Sequence, residues 1–449
     1  MPPILLILLL KKIPKKLIRH IIGQKNQEKL NTKYYLCILN KKEMKLQIKP
    51  YYILLFFVSL IIVPFYSCAQ NPPSKFKEVE KLISNKEYLS AFEKLEKDYP
   101  KYSDPDADLL KIDIALDYHV NTVSHQYFAF KNIGPKEDIL DHRKTEGRFE
   151  MKYLPIHDIL DSLLILFPNR NDLHNRIVEH YYLILTNYPG GWIKKNNDIL
   201  GKIEFHSQKA IEYKMASGKT YFAAGFLQLQ KQQNLQAIEL IEKAIALEPS
   251  NGFYYYNLCF PYLYQNQHIK ALEISQKAYH YSPESDYIQK AKAKYLTGLI
   301  FEELSEDQIA YENFLEARKL DMENLQILYS IIESCLKLKK LQWIDYTKQF
   351  FDIAPDNSET YGDLTQVFSQ YQRIDDLIGF FNSQMKNFED SPRVLANLHF
   401  FIAGNIYTKD KEKAIEHLEI SKTYFLKYLP ENNAIFRTIE QQIDEFKAK

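Results

Sequence analysis

The 449-residue sequence predicts an all-α chain, a right-handed α-solenoid of stacked helix-turn-helix repeats with an aperiodic helical part ahead of it. Three observations point there. Ala237, Ile241, Ala244 and Pro249 are answered 34 residues later by Ala271, Ser275, Ala278 and Pro283. A third copy, Ala310, Phe314 and Ala317, follows at an offset of 39. Twelve residues ahead of each first alanine stands another small residue, Gly225, Cys259 or Gly298. Small residues at matched points let two antiparallel helices approach closely, and a proline just past the second helix stops it, because proline cannot continue the hydrogen-bond ladder. Finally, no stretch shows the sustained period-two alternation of a half-buried strand.

The chain begins with an unlike segment. Residues 1–49 carry twelve Lys/Arg and two Asp/Glu, whereas residues 50–449 carry 46 and 55, so a net +10 is joined to a net −9. The apolar run Pro3–Leu10 is too short to span a bilayer and Lys11, Lys12, Lys15 and Lys16 follow it. Met44 opens a signal peptide by itself: Lys45 and Lys49, the apolar run Ile53–Phe65, then small residues. Residues 1–43 are therefore expected to be an extension assigned ahead of the true start, with a basic segment lying on an anionic membrane as the alternative. Residues 44–67 are expected to be the signal peptide. Phe65-Tyr66-Ser67-Cys68 resembles a bacterial lipobox, although Tyr66 departs from its usual small residue. The resemblance implies a lipid on Cys68 and attachment to the membrane through it; plain secretion and a retained anchor are the alternatives.

Residues 76–216 read as helical with degenerate repeats. Phe76–Tyr99 forms one helical pair around Ala91 and Leu95. Apolar stripes then run through Leu109–Ile114, Ile156–Phe167 and Ile177–Leu185 without a clear period. Loops fall at Asp104-Pro105, Gly134-Pro135, Pro168-Asn169 and Pro189-Gly190-Gly191, where turn residues cluster. Residues 218–324 hold the clear copies, the second of which carries Pro261 inside its first helix and predicts a kink there. Residues 325–430 keep the rhythm less strictly, ending near Pro355, Pro392 and Pro430, with Trp343 where a small residue is expected. Residues 434–449 place Ile435, Ile439, Ile443 and Phe446 on one stripe, as a capping helix would.

With its 34-residue period and small-residue register, the segment 218–324 resembles the tetratricopeptide repeat family. The resemblance implies paired helices whose first members line a concave face that holds a protein or peptide. In this chain that face includes Phe222, Phe226, Tyr256, Asn257, Phe260 and Tyr264. Relatives that bind acidic peptide C-termini line the groove with Lys, Asn and Arg; here only Asn257 matches, and Leu296 stands where an Arg would be. The aromatic face suits an apolar or extended peptide, or a sugar stacked on its rings.

Motifs for chemistry are broken. Gly218-Lys219-Thr220 has the end of a phosphate-binding loop, but Tyr213 stands where its first glycine is required. Neither Gly-x-Ser-x-Gly nor His-Glu-x-x-His occurs. His157, Asp158, His174 and His180 are metal-type residues at spacings that share no helix face, so they read as solvated surface groups. Trp192, after the Gly190-Gly191 pair, is expected to dock on the chain's own helices. Cys259 and Cys335 sit in apolar helical patterns and read as buried small hydrophobes rather than a disulfide.

The expectation is a non-catalytic protein-interaction scaffold of the bacterial cell envelope, at the outer membrane or in the periplasm, with no cofactor or metal. A mildly acidic body argues against nucleic acid. The alternatives are a glycan- or nutrient-binding surface lipoprotein, and an enzyme with its site in residues 101–216.

Overall fold

The computed structural model describes residues 74–143, 147–188 and 191–448. Residues 1–43, the signal segment 44–67 and Cys68 lie outside the described residues. The chain divides into two units, residues 1–206 and 207–449.

In the first unit, α1 (Lys77–Ser84) and α2 (Tyr88–Asp98) form a hairpin, and α3 (Pro105–Tyr118) packs on α2. Asp104 caps α3 through the backbone N–H groups of Asp106 and Ala107, and Pro105 fills the first helical turn, where a missing N–H costs nothing. The α2–α3 connection is tied down by a buried ion pair. Asp108 meets Lys111 at 3.2 Å and accepts from Tyr102 N–H at 2.8 Å, while Lys111 Nζ donates to the Tyr99 carbonyl at 2.6 Å. Buried charges survive in this way, each paired and hydrogen-bonded.

The chain is all-α in class, as expected, and this unit adds one small feature that the sequence did not announce. A three-stranded antiparallel sheet, β1 (Asn121–Val123), β2 (Tyr127–Ala129) and β3 (Lys152–Tyr153), follows α3, with Thr122 opposite Phe128 and Phe128 opposite Lys152. Its strands are too short to show an alternation. The β1–β2 turn places Ser124 and His125 at φ 52° and 56°, a left-handed pair of the type-I′ kind, without the Asn or Gly that normally signals it. A short α4 (Ile139–His142) lies between β2 and β3, and α5 (Ile156–Leu166) and α6 (Leu173–Asn187) pack on α3. The division between units falls within α7 (Asn196–Glu212).

The second unit is an α-solenoid built from successive hairpins. They are α8 (Gly218–Gln230) with α9 (Asn234–Leu247), α10 (Gly252–Tyr264) with α11 (His268–Tyr281), and α12 (Tyr287–Glu303) with α13 (Asp307–Leu320). The degenerate copies follow as α14 (Leu325–Lys337) with α15 (Trp343–Ile353), α16 (Ser358–Gln370) with α17 (Ile374–Met385), and α18 (Pro392–Ile406) with α19 (Lys411–Phe425). Finally α20 (Ala434–Ala448) buries Phe436, Ile439 and Phe446 against Ala403, Ala414 and Leu418, closing the last apolar face.

The small residues do what their register requires. A Cβ on Gly225 would lie 2.7 Å from the Ile241 side chain, and one on Gly298 would lie 2.4 Å from the Phe314 ring. Ala237, Ala244, Ala271, Ala278, Ala310 and Ala317 are all fully buried. The first helices of the first five hairpins, α8, α10, α12, α14 and α16, end in one repeated device. Gln232, Asn266, Ser305, Lys339 and Gln372 adopt φ 56–61°. The N–H of each following residue reaches the carbonyl five back, for example Lys340 N–H to Cys335 O at 2.8 Å and Arg373 N–H to Phe368 O at 2.8 Å. This is the Schellman stop, built here without glycine. Helical structure continues through Pro261 to Tyr264, so that proline marks a last turn rather than a break. Cys259 and Cys335 are buried free thiols.

Candidate binding face of the repeat array

The first helix of each hairpin carries the residues named from sequence, and they do not share one environment. Phe222, Phe226, Tyr256 and Asn257 are buried. Phe222 stacks on Tyr254 of the next first helix, ring centroids 4.7 Å apart, and Tyr256 meets Phe260 edge-on at 5.4 Å. Asn257 spends its amide on the Phe253 carbonyl at 2.8 Å. Phe260 is half-buried, and Tyr264, 43% exposed, presents the most surface of the six. Along α8 and α10, therefore, most of these side chains pack within the protein.

Further along the array the same register changes chemistry. The residues equivalent to Tyr256 are Tyr295 and Tyr329, and those equivalent to Phe260 are Leu299 and Glu333, at offsets of 39 and then 34. Tyr295 Oη lies 3.1 Å from Ser330 Oγ across α12 and α14. Glu333 accepts from Gln370 Nε2 at 2.9 Å and from Tyr371 Oη at 3.2 Å, which joins α14 to the end of α16. Glu302, at the end of α12, is held up to about 7 by burial and then by the Glu333 charge, against the pull of Lys337. Asp363 on α16 is raised by burial and by Glu359. Burial and the charges of Glu333 and Asp363 push Tyr329 well above its ordinary range, and Tyr295 is pushed up to about 12. Lys337, a cation beside Glu302, is bound to Asp307. The result is a strip of tyrosines and under-compensated carboxylates over three successive first helices. No chemical motif marks it, yet the aromatic register of Tyr256 and Phe260, carried forward, reaches Tyr295, Tyr329 and Glu333.

The metal-type residues of the first unit are not gathered together. His180 and Arg176 both meet Asp113, at 2.9 and 2.8 Å. His174 instead faces His206, Nδ1 to Nδ1 at 2.9 Å, and His157 pairs with its neighbour Asp158 at 3.1 Å. The expectation of solvated groups fails for His174 and His180, which are both buried: each lies on α6, where helical packing encloses it. Burial, then the neighbouring His174, holds His206 down to about 4. Among the described residues no three His, Cys, Asp or Glu side chains stand close enough to hold a metal ion. Trp192 is buried against Tyr188, His125 and Phe128, at ring distances of 4.2, 4.7 and 5.9 Å. Gly218-Lys219-Thr220 opens α8 behind the cap residue Ser217 and follows a helix, not a strand.

No protein-family model and no curated sequence matches the chain. Among solved structures it is similar to PilF of Pseudomonas aeruginosa, at 14% identity over 51% of this chain and 96% of that one, with a TM-score of 0.36. It is also similar to the C-terminal part of a TPR repeat-containing protein of Cytophaga hutchinsonii, at 14% identity over 58% and 94%, with a TM-score of 0.39. A third is YrrB, described as a TPR protein with an unusual peptide-binding site, at 18% identity over 42% and 93%, with a TM-score of 0.28. Likeness at this level leaves function to be argued from this chain's own residues.

Proposed function

We propose that this chain is a non-catalytic scaffold of tetratricopeptide type that holds a protein partner on the α12–α14–α16 face, and that the segment it holds carries lysine or arginine. The observation that supports this reading is the strip of Glu302, Glu333 and Asp363 among Tyr295, Tyr329 and Tyr371. Glu302 and Glu333 are half-buried and Asp363 is exposed; carboxylates without a matching cation, the half-buried pair above all, gain most from an incoming ammonium or guanidinium, and tyrosine faces add cation–π attraction. An extended basic peptide fits, because its charges can meet successive helices in turn.

Fluorescence anisotropy with a lysine-rich peptide tests it. Binding to the full chain weakens in Glu302→Gln/Glu333→Gln and falls as salt is raised. An unchanged affinity in that double variant overturns the reading. We further propose that the protein is exported and held in the bacterial envelope through a lipid on Cys68, with residues 44–67 as its leader. Fractionation tests this separately: Cys68→Ala leaves the membrane fraction if the lipid anchors it, and stays there if it does not.

A further inference from the structure

The residue after the last alanine of each clear repeat is Ile245, then Tyr279, then Arg318. All three are half-buried. Where two repeats place a packing side chain, the third places a guanidinium. Its Nη1 is buried and has no hydrogen-bond partner. Burial pulls the group below its ordinary range, and Asp321 and Glu323 act on it only through space. A buried polar atom left unsatisfied costs free energy, and in a native fold it calls for an explanation.

Beside it lies an open groove of about 600 Å³ between α12, α13 and α15. Lys294, Lys319 and Arg318 line it against Glu312 and Glu316, leaving one positive charge over, and Tyr346 adds a hydroxyl. Lys319 is taken by Glu316 at 2.6 Å, and Glu312 accepts from the neutral Gln308 at 2.8 Å. Lys294 sits over the Tyr279 ring at 4.8 Å, which leaves its ammonium hydrogens for a ligand. The groove shares no residue with the acidic face described above.

We propose that this groove binds a carboxylate of a peptide ligand, with Arg318 as the bidentate fork, Lys294 as the second cation and Tyr346 as a hydroxyl donor. A planar guanidinium matches a carboxylate through two parallel hydrogen bonds. A single surplus positive charge suits a monoanion, whereas a phosphate dianion would leave a net negative charge beside Glu312.

The test is an NMR titration of the full chain carrying ¹⁵N-labelled arginine, with the Arg318 Nε resonance assigned from Arg318→Lys. Triglycine presents a chain-end carboxylate, and N-acetyl-aspartate amide a side-chain one. Either should shift that resonance saturably, with a Kd of about millimolar order; which of the two binds more tightly identifies the source. Triglycine amide should leave it unmoved. An equal shift from sodium chloride at matched ionic strength, tighter binding of inorganic phosphate, or no shift from either carboxylate overturns the proposal. Arg318→Leu supplies an independent readout. It restores the aliphatic character of Ile245, so it should lose the titration and melt no lower than the wild type. If it melts lower, the guanidinium is structural and the proposal fails.

Discussion

Protonation of Glu302 links the stability of the repeat array to the proposed binding face. Its carboxyl is held at about 7 in the folded chain, against 4.5 when unperturbed. The unfolded chain therefore releases this proton first as pH rises. Below the unfolded value both states are protonated and the group costs nothing. Between roughly 4.5 and 7 the unfolded state alone gains from ionisation, so stability falls as pH rises and levels off above the folded value. At about 1.4 kcal/mol for each tenfold change in proton affinity, the full difference is about 3 kcal/mol. Solvent reaching the half-buried carboxylate trims this to about 1–3 kcal/mol. Glu302→Gln removes the ionisation altogether. For a unit of this size it should raise the melting temperature by about 3–10 °C at pH 8 and leave it nearly unchanged at pH 4. Glu333→Gln takes away the second cause of the shift and should move the wild-type transition to lower pH. The assay is a pair of thermal melts across pH 4–8, read by circular dichroism. A Glu302→Gln chain no more stable than wild type at pH 8 would refute the desolvated carboxylate. The same variant should weaken a lysine-rich peptide at pH 8 far more than at pH 5.5, since below the folded value the wild type offers it no charge either.

Two predictions concern the array itself. Gly298→Ala drives a methyl to 2.4 Å from the fully buried Phe314 ring, an overpacking cost of about 1–3 kcal/mol that exceeds the gain in helix propensity, whereas Gly379→Ala meets nothing within 4 Å and should stabilise by up to about 1 kcal/mol. Urea titrations of both variants should move in opposite directions, and Phe314→Leu should rescue the first; two shifts of the same sign would mean that the α12–α13 register is wrong. Lys339→Gly relieves a left-handed residue at φ 56° that is exposed, so it should stabilise by up to about 1 kcal/mol in the same assay. A loss of stability there would contradict the Schellman stop.

What the sequence discloses depends on how local each cause is. Gly225, Ala237 and Ala244 report a pairwise contact between neighbouring helices, so their spacing exposes the hairpin directly. The degenerate copies remain legible because Asn324 and Asn357 still cap α14 and α16, each accepting from the backbone N–H two residues on. The small sheet was hidden because Ser124 and His125 adopt left-handed conformations on tertiary demand, and no residue type announces them. Burial of His174 and His180 was hidden for a related reason: a histidine reads as polar until the helix facing it supplies a partner, here His206 or Asp113. The candidate face was half legible. Its aromatic members stood out as a stripe, while Glu302 and Glu333 look like ordinary surface acids unless the register of Tyr256 is carried into the next two repeats.

That last distinction bears on where a partner can sit. The first helices α8 and α10, whose inner positions are Phe222 and Phe226, then Tyr254 and Tyr256, have already spent their apolar area on the protein's own packing, and burial of that kind recurs with every fold of the chain whether or not a ligand is present. Carboxylates are different. Holding Glu302 half-buried near Glu333, with Lys337 committed to Asp307, costs the isolated fold stability. A cation brought by a partner turns that cost into affinity, since it favours the ionised form that burial opposes. The aromatic half of the register therefore builds the array, and the acidic half is the part with interaction energy left to give.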